Sequence, residues 1–157
     1  MMRMTFLALA FGAMLLPAAC AGDKLTLTAA EKLVLDLTNQ ERKKHDLPPL
    51  TLNPTLFKVA RAHSENMGRQ MKMEHTLDEK TAFDRLRAAG YKYAAAGENI
   101  GSGDPRAPVT LVMQAWMESE GHRANILNKE YTEIGVGVGR DKEGNLYYTQ
   151  VFGRPLR

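Results

Sequence analysis

Residues 134–139 read Ile-Gly-Val-Gly-Val-Gly. A period of two is the period of an extended strand, so Ile134, Val136 and Val138 share one face while Gly135, Gly137 and Gly139 share the other. A strand face made of glycine has no side chains to pack, and it lets another layer come close to the backbone itself. Leu146–Phe152 follows as a second extended stretch, and 141–145 (Asp-Lys-Glu-Gly-Asn) has the turn chemistry of a hairpin.

The rest of the chain reads mainly as helix. Thr28-Ala29-Ala30-Glu31 is a capping-box pattern, and Ala30, Leu33, Val34 and Leu37 repeat at helical spacing. This predicts a helix to about His45, stopped by Leu47-Pro48-Pro49-Leu50. Arg42, Lys43 and Lys44 read as its solvated face. Asn53-Pro54 opens a second helix, with Leu56, Val59, Ala60, His63, Met67 and Met71 on one side. His63 there reads as a core histidine bonded to backbone. His75 lies one turn beyond Met71, where the chain leaves the core and a side chain can face a cleft.

Glu79–Ala89 reads as a short helix with Phe83, Leu86 and Ala82 inward, ended by Gly90. A strand is predicted near Gly97–Ile100, with a loop over 101–105. Pro108 opens a further helix that buries Val109, Val112, Met113 and Trp116. Gly121 is expected to interrupt it and leave His122 just past the break. Four helical stretches and at least three strands give the α+β class, with helices packed on a small, mostly antiparallel sheet.

The first residues stand apart. Arg3, an apolar run from Leu7 to Leu16 and a small-residue exit describe an export signal, too short to span a bilayer permanently. Cys20, the single cysteine, allows two readings. One is a lipoprotein signal over residues 1–19, with lipid on the Cys20 sulfur and a membrane anchor. Pro17 departs from that pattern, standing where an aliphatic residue is expected. The other is ordinary cleavage after Ala21. Residues 20–29 then form a tether, and 30–157 one domain that holds by packing without a disulfide. A net charge of +3, with no basic stripe interleaved with aromatics, argues against nucleic acid as a partner.

Three stretches gather polar residues: 73–76, 97–100 and 116–127. His75, Glu98 and His122 form a plausible ligand set for Zn²⁺ or a similar divalent cation. Their spacing is no local metal signature, and a carboxylate beside a histidine serves equally as an acid–base pair. A structural network is the third reading, in which Glu98 and Asn99 tie the strand end to the 121–122 turn. Arg123 pairs with Glu118 or Glu120 in that scheme, Asn125 shapes the local turn, and Trp116 anchors the core. The sequence lacks the G-x-S-x-G elbow, and Cys20 lies outside the domain, so no nucleophile presents itself.

Gly97-Glu98-Asn99-Ile100, Trp116 with the 121–127 run Gly-His-Arg-Ala-Asn-Ile-Leu, and the 132–138 run Thr-Glu-Ile-Gly-Val-Gly-Val resemble the bacterial branch of the CAP superfamily. That superfamily takes in cysteine-rich secretory proteins, antigen 5 and plant pathogenesis-related proteins, and its domain is also called the SCP domain. The resemblance implies an α-β-α sandwich and a cleft in which His75, Glu98 and His122 are the family's histidines and acid. Tyr147 stands where eukaryotic members have another histidine, and Ser119 where they have a glutamate. Asn99, Trp116, Ser119, Arg123, Asn125 and Tyr147 are then the residues that support the cleft.

Members are linked to sterol or lipid binding, to defence and signalling, and to proposed protease activity, and bacterial members look like exported envelope proteins. The expected protein is a monomeric, exported, envelope-associated binding module for a small molecule, lipid or cell-wall component. The alternative is a metal-assisted hydrolase of peptide or cell-wall polymer, using Glu98 and His122.

Overall fold

A computed structural model describes residues 25–156. The segment read as an export signal, Cys20 and the start of the expected tether lie outside the described residues. Helix α1 spans Ala29–Lys44 and starts as its sequence dictates: the Thr28 hydroxyl accepts from the Glu31 amide at 3.2 Å, and the Glu31 carboxylate accepts from the Thr28 amide at 2.8 Å. Strand β1 is the short Thr51–Leu52, and α2 spans Pro54–Gln70. The Asn53 side chain accepts from the Thr55 and Leu56 amides, and Met71, in a left-handed conformation, turns the chain away at the other end.

Then follow α3 (Ala82–Ala88), β2 (Tyr93–Gly103), α4 (Thr110–Glu118), α5 (Glu120–Ile126), β3 (Glu133–Arg140) and β4 (Leu146–Pro155). The sheet order is β1-β3-β4-β2, with β1 parallel to β3 and the other pairs antiparallel. β2 is therefore an edge strand, paired only through β4.

Helices cover both faces of the sheet. Ile134, Val136, Leu146, Tyr148 and Phe152 pack with Val34 of α1, Val112, Met113 and Trp116 of α4, and Ile126 of α5. On the other face Val151 packs with Leu56, Val59 and Ala60 of α2, and with Leu86 of α3. The glycine face of β3 lies directly under α2: a Cβ on Gly135, Gly137 or Gly139 would overlap the backbone at Leu56, Ala60 and Ser64 respectively. The close approach anticipated from the alternation is therefore made by a helix.

Several local expectations are corrected. The helix from Pro108 breaks at Ser119, which is extended (φ −87°, ψ 124°), and Gly121 and His122 lie inside α5. Residues 101–103 continue β2 instead of forming a loop. Asp78 and Glu79 have positive φ, 51° and 59°, so α3 waits for the Thr81 cap. Leu86 is buried as expected, but Phe83 is 45% exposed. Arg42 is not solvated at all; it is 1% exposed inside the molecule.

Candidate functional site: a buried carboxylate at the sheet edge

β2 alternates its side chains between the two faces. Asn99 is wholly buried on the α5 side, where its amide donates to the His122 carbonyl and to Gln150 Oε1, both at 3.0 Å. Its Oδ1 accepts from Asn125 Nδ2 at 2.9 Å, and Gln150 in turn donates to Thr38 on α1 at 2.7 Å. This side-chain chain ties α5 to the edge strand and the core. Asn125 also donates to the Glu98 carbonyl at 3.3 Å, and Trp116 Nε1 to the Ile100 carbonyl at 2.8 Å. Side chains thus cap the carbonyls on the free edge of β2. The part of the network assigned to Asn99 is present, whereas Asn125 works across elements and not within its own turn.

Glu98 points to the other face. Its side chain is only 3% exposed. Oε1 accepts from His75 Nδ1 at 2.9 Å, and Oε2 accepts from the Arg85 guanidinium at 2.7 Å. Arg85 also donates to the carbonyls of His75 at 3.1 Å and Lys80 at 2.8 Å, which fastens the 72–80 segment to the edge strand. A carboxylate only accepts, so in the neutral form of the His75 ring the proton sits on Nδ1 and Nε2 carries the free lone pair. With its side chain 54% exposed, His75 presents that nitrogen outward.

His63, on α2, stands 3.9 Å from Glu98 Oε1, and its side chain is wholly buried. No hydrogen bond of ordinary geometry reaches either ring nitrogen. Burial pushes its pKa down to about 4, against the pull of Glu98 and the Glu74 backbone and with the help of the Arg85 and His75 charges. The stripe position read from the sequence holds; the backbone partner expected for the ring is not of ordinary geometry. A histidine depressed in the folded state takes up a proton more readily when unfolded. Its contribution to stability is full above about pH 6.5 and is lost as pH falls towards 4. Wild type should lose about 3 kcal/mol more than His63→Gln between pH 7 and pH 4 in urea unfolding. Parallel acid profiles would show that His63 carries no such linkage.

His122 belongs to the first turn of α5. Its Nδ1 lies 2.9 Å from the Ser119 hydroxyl. Burial lowers its pKa first, and the nearby charge of His75 lowers it further, so each imidazole lies within the field of the other. Arg123 donates to the Met117 carbonyl at 2.8 Å, closing the end of α4 where an acidic partner was expected. Tyr147 turns to the α2 side, packs with Met67, Leu77 and Ile100, and reaches Asp141 in the hairpin at 3.4 Å. Trp116 is buried, as expected of a core anchor.

Two hollows flank this edge. One, of about 440 Å³, is walled by Ile100, Val112, Trp116 and Tyr148, with Ser119 and His122 on its polar side. The other, of about 450 Å³, contains His75, Glu98, Thr81, Phe83 and Asn125. Met73 lines the first and His75 the second, so the two hollows adjoin along residues 73–75. Glu98 and His75 are in direct contact, while His122 opens on the neighbouring space. Among the described residues, no three His, Cys, Asp or Glu side chains are grouped closely enough to hold a metal ion. With Oε2 on a guanidinium, Glu98 is a poor direct ligand. Each imidazole has its Nδ1 in a hydrogen-bond contact, His75 with Glu98 and His122 with the Ser119 hydroxyl. Arg85 was not visible as a site residue from sequence, because an arginine on a short helix carries no motif.

Layers and edge site together define a CAP-type α-β-α sandwich. The chain belongs to the CAP family, the cysteine-rich secretory protein family, which matches residues 35–152. The uncharacterized protein YkwD of Bacillus subtilis (strain 168) is 42% identical over 130 residues, covering 82% of this chain and 49% of that protein. The chain thus spans about half the length of that relative. Among solved structures, an extracellular SCP-domain protein from Bacillus anthracis is 33% identical with a TM-score of 0.69, covering 83% of this chain and 45% of that one. An outer surface protein from Borrelia burgdorferi shares the fold at 23% identity and a TM-score of 0.76, covering 84% of this chain and 97% of that one.

Proposed function

We propose that this protein is an exported, envelope-associated binding module, and that it does not turn over a substrate. The observation that carries the reading is the state of Glu98: both carboxylate oxygens are engaged, by His75 and by Arg85, inside an open hollow. A general base needs a free oxygen facing its proton donor, and a metal ligand needs one facing its ion. Glu98 has the arrangement of a supporting group that orients His75 and leaves Nε2 outward. Ser119 and His122 do form a hydroxyl–imidazole pair, but the two lie within a single turn, and the ring meets the hydroxyl through Nδ1. These points weigh against the metal-assisted hydrolase.

In this reading His75 and His122 hold a divalent cation such as Zn²⁺ weakly, with Glu98 and Ser119 behind them. The apolar hollow beside Trp116 takes the hydrocarbon part of a small molecule or lipid. Export is supported by the leader pattern, and by the extracellular and outer-surface descriptions of similar proteins. Lipid on Cys20 would anchor the module to the membrane.

Trp116 is the single tryptophan, so its fluorescence reports directly on the hollow. A brominated fatty acid should quench Trp116, and Ala115→Trp, which fills the space, should exclude the lipid as judged by retention of a radiolabelled acyl chain. Zn²⁺ should raise the melting temperature, reversibly with chelator, and His75→Ala and His122→Ala should each remove the shift. Absence of both responses in folded protein, or hydrolysis of peptide or glycan that Glu98→Gln abolishes, would overturn the binding reading.

A further inference from the structure

Phe83 contradicts its sequence pattern. On α3 it falls at an inward position, yet nearly half of it is exposed, and it forms one wall of the hollow that holds His75 and Glu98. It is held in place there. Its ring lies 6.2 Å from Tyr93 at a tilt of 32°, and Tyr93 in turn stacks on Tyr91 at 6.2 Å. Tyr91 is 8% exposed and its hydroxyl donates to Glu133 at 2.6 Å, so the row of rings is fixed to the core at its far end. An aromatic face kept in water by a rigid support is a preformed platform, because little side-chain entropy remains to be lost on binding.

The surroundings of the platform restrict what it can receive. The single buried charge in the wall, Glu98, is already neutralised by contact with Arg85 and His75. A strongly charged ligand therefore finds no uncompensated counter-charge. The remaining polar atoms are neutral groups: the hydroxyls of Thr76 and Thr81, the Asn125 amide and the outward Nε2 of His75. A ring face flanked by neutral donors and acceptors matches a pyranose. The axial C–H bonds of the sugar carry partial positive charge towards the negative face of the aromatic ring, and its hydroxyls need hydrogen-bond partners around the edge.

We propose that the hollow between α3 and β2 is a binding subsite for one unit of a neutral glycan, with the sugar face on Phe83. This goes beyond the reading above, since it requires neither the cation nor occupation of the hollow beside Trp116. The site recognises the sugar and does not cleave it, because both Glu98 oxygens are engaged and acid–base cleavage of a glycosidic bond requires two available carboxyl groups.

The test is amide NMR of the isotope-labelled protein, titrated with two neutral tetrasaccharides, cellotetraose and tetra-N-acetylchitotetraose, and with an anionic oligouronate. At least one neutral sugar should shift the amides of Thr76, Phe83 and Gly97, with Kd on the order of 1 mM for a single stacked unit. Phe83→Ala should weaken that binding about tenfold, while Phe83→Trp keeps or improves it. Phe83 is largely outside the core, so both variants should melt with wild type. Should Phe83→Ala lower the melting temperature, Phe83→Trp against wild type decides. The proposal is overturned by no shifts around this hollow with either neutral sugar. It is also overturned by stronger binding of the oligouronate, by a folded Phe83→Ala that binds as wild type, or by a folded Phe83→Trp that loses the binding. Binding at this hollow with no fatty-acid or Zn²⁺ response would leave the glycan site standing while the preceding reading fails.

Discussion

Arg42→Met should lower the free energy of unfolding by about 3–5 kcal/mol, read from urea denaturation with an unchanged slope. The guanidinium is buried with carbonyl partners. It donates from Nε to Pro48 at 2.9 Å, from one terminal nitrogen to Ile126 and Asn128, both at 2.9 Å, and from the other to Tyr131 at 3.4 Å. These carbonyls belong to the loop after α1, the end of α5 and the approach to β3. One side chain therefore joins three segments whose apolar residues Leu50, Ile126 and Tyr131 meet in the same core. Methionine matches the volume but leaves the carbonyls without donors, and each orphaned buried group costs about 1–3 kcal/mol. Lysine keeps the charge without the fork and should recover only part of the loss. Burial already depresses the Arg42 pKa, the mark of a cation held by dipoles without a carboxylate. A loss below about 1 kcal/mol would mean that water replaces the guanidinium, and that the arrangement of α5 does not depend on it.

Gly137→Ala should cost about 3 kcal/mol or more, an unusually large effect for one methyl group. The added carbon would overlap the Ala60 carbonyl and the Arg61 amide, and those are backbone atoms that move only if α2 moves. Neighbouring contacts would be strained as α2 lifts, including the Ser64 hydroxyl bonds to the Gly137 carbonyl at 2.9 Å and to Thr149 at 2.8 Å. Gly121→Ala provides the opposite sign. Gly121 is exposed within α5, and nothing lies within 4 Å of the position its Cβ would take. Alanine there should stabilise by about 0.5–1 kcal/mol, the ordinary helix preference over glycine. Destabilisation by Gly121→Ala would restore Gly121 as the point where the helix breaks.

That contrast shows what can be read from a sequence of this kind. The β3 glycines were legible because a strict period of two has one structural meaning, and the caps at Thr28 and Asn53 were legible because their chemistry is local. Gly121 was misread because glycine is tolerated inside a helix when tertiary contacts hold it. The actual break, at Ser119, carries no local breaker. Arg42 was misread for a related reason. Basic residues at the end of a helix usually meet water, and the carbonyls that capture this one come from 84 to 89 positions away as well as from nearby Pro48. Similarly, His75 and Glu98 were singled out by their polar neighbourhoods, whereas the position of Arg85 between them depends on how α3 meets β2. Side-chain partners across long loops are fixed by packing, and no short pattern encodes them.

The central claim is that Glu98 is a supporting group, accepting a proton-bearing Nδ1 from His75 and turning Nε2 outward. Long-range nitrogen–proton NMR of the imidazole rings reads this directly, because the two tautomers give distinct patterns. The account predicts the Nδ1–H form for His75 in the metal-free protein, and a perturbation of the Nε2 resonances of His75 and His122 at the same Zn²⁺ concentration. An Nε2–H form for His75, or a ring that interconverts freely between forms, would contradict it.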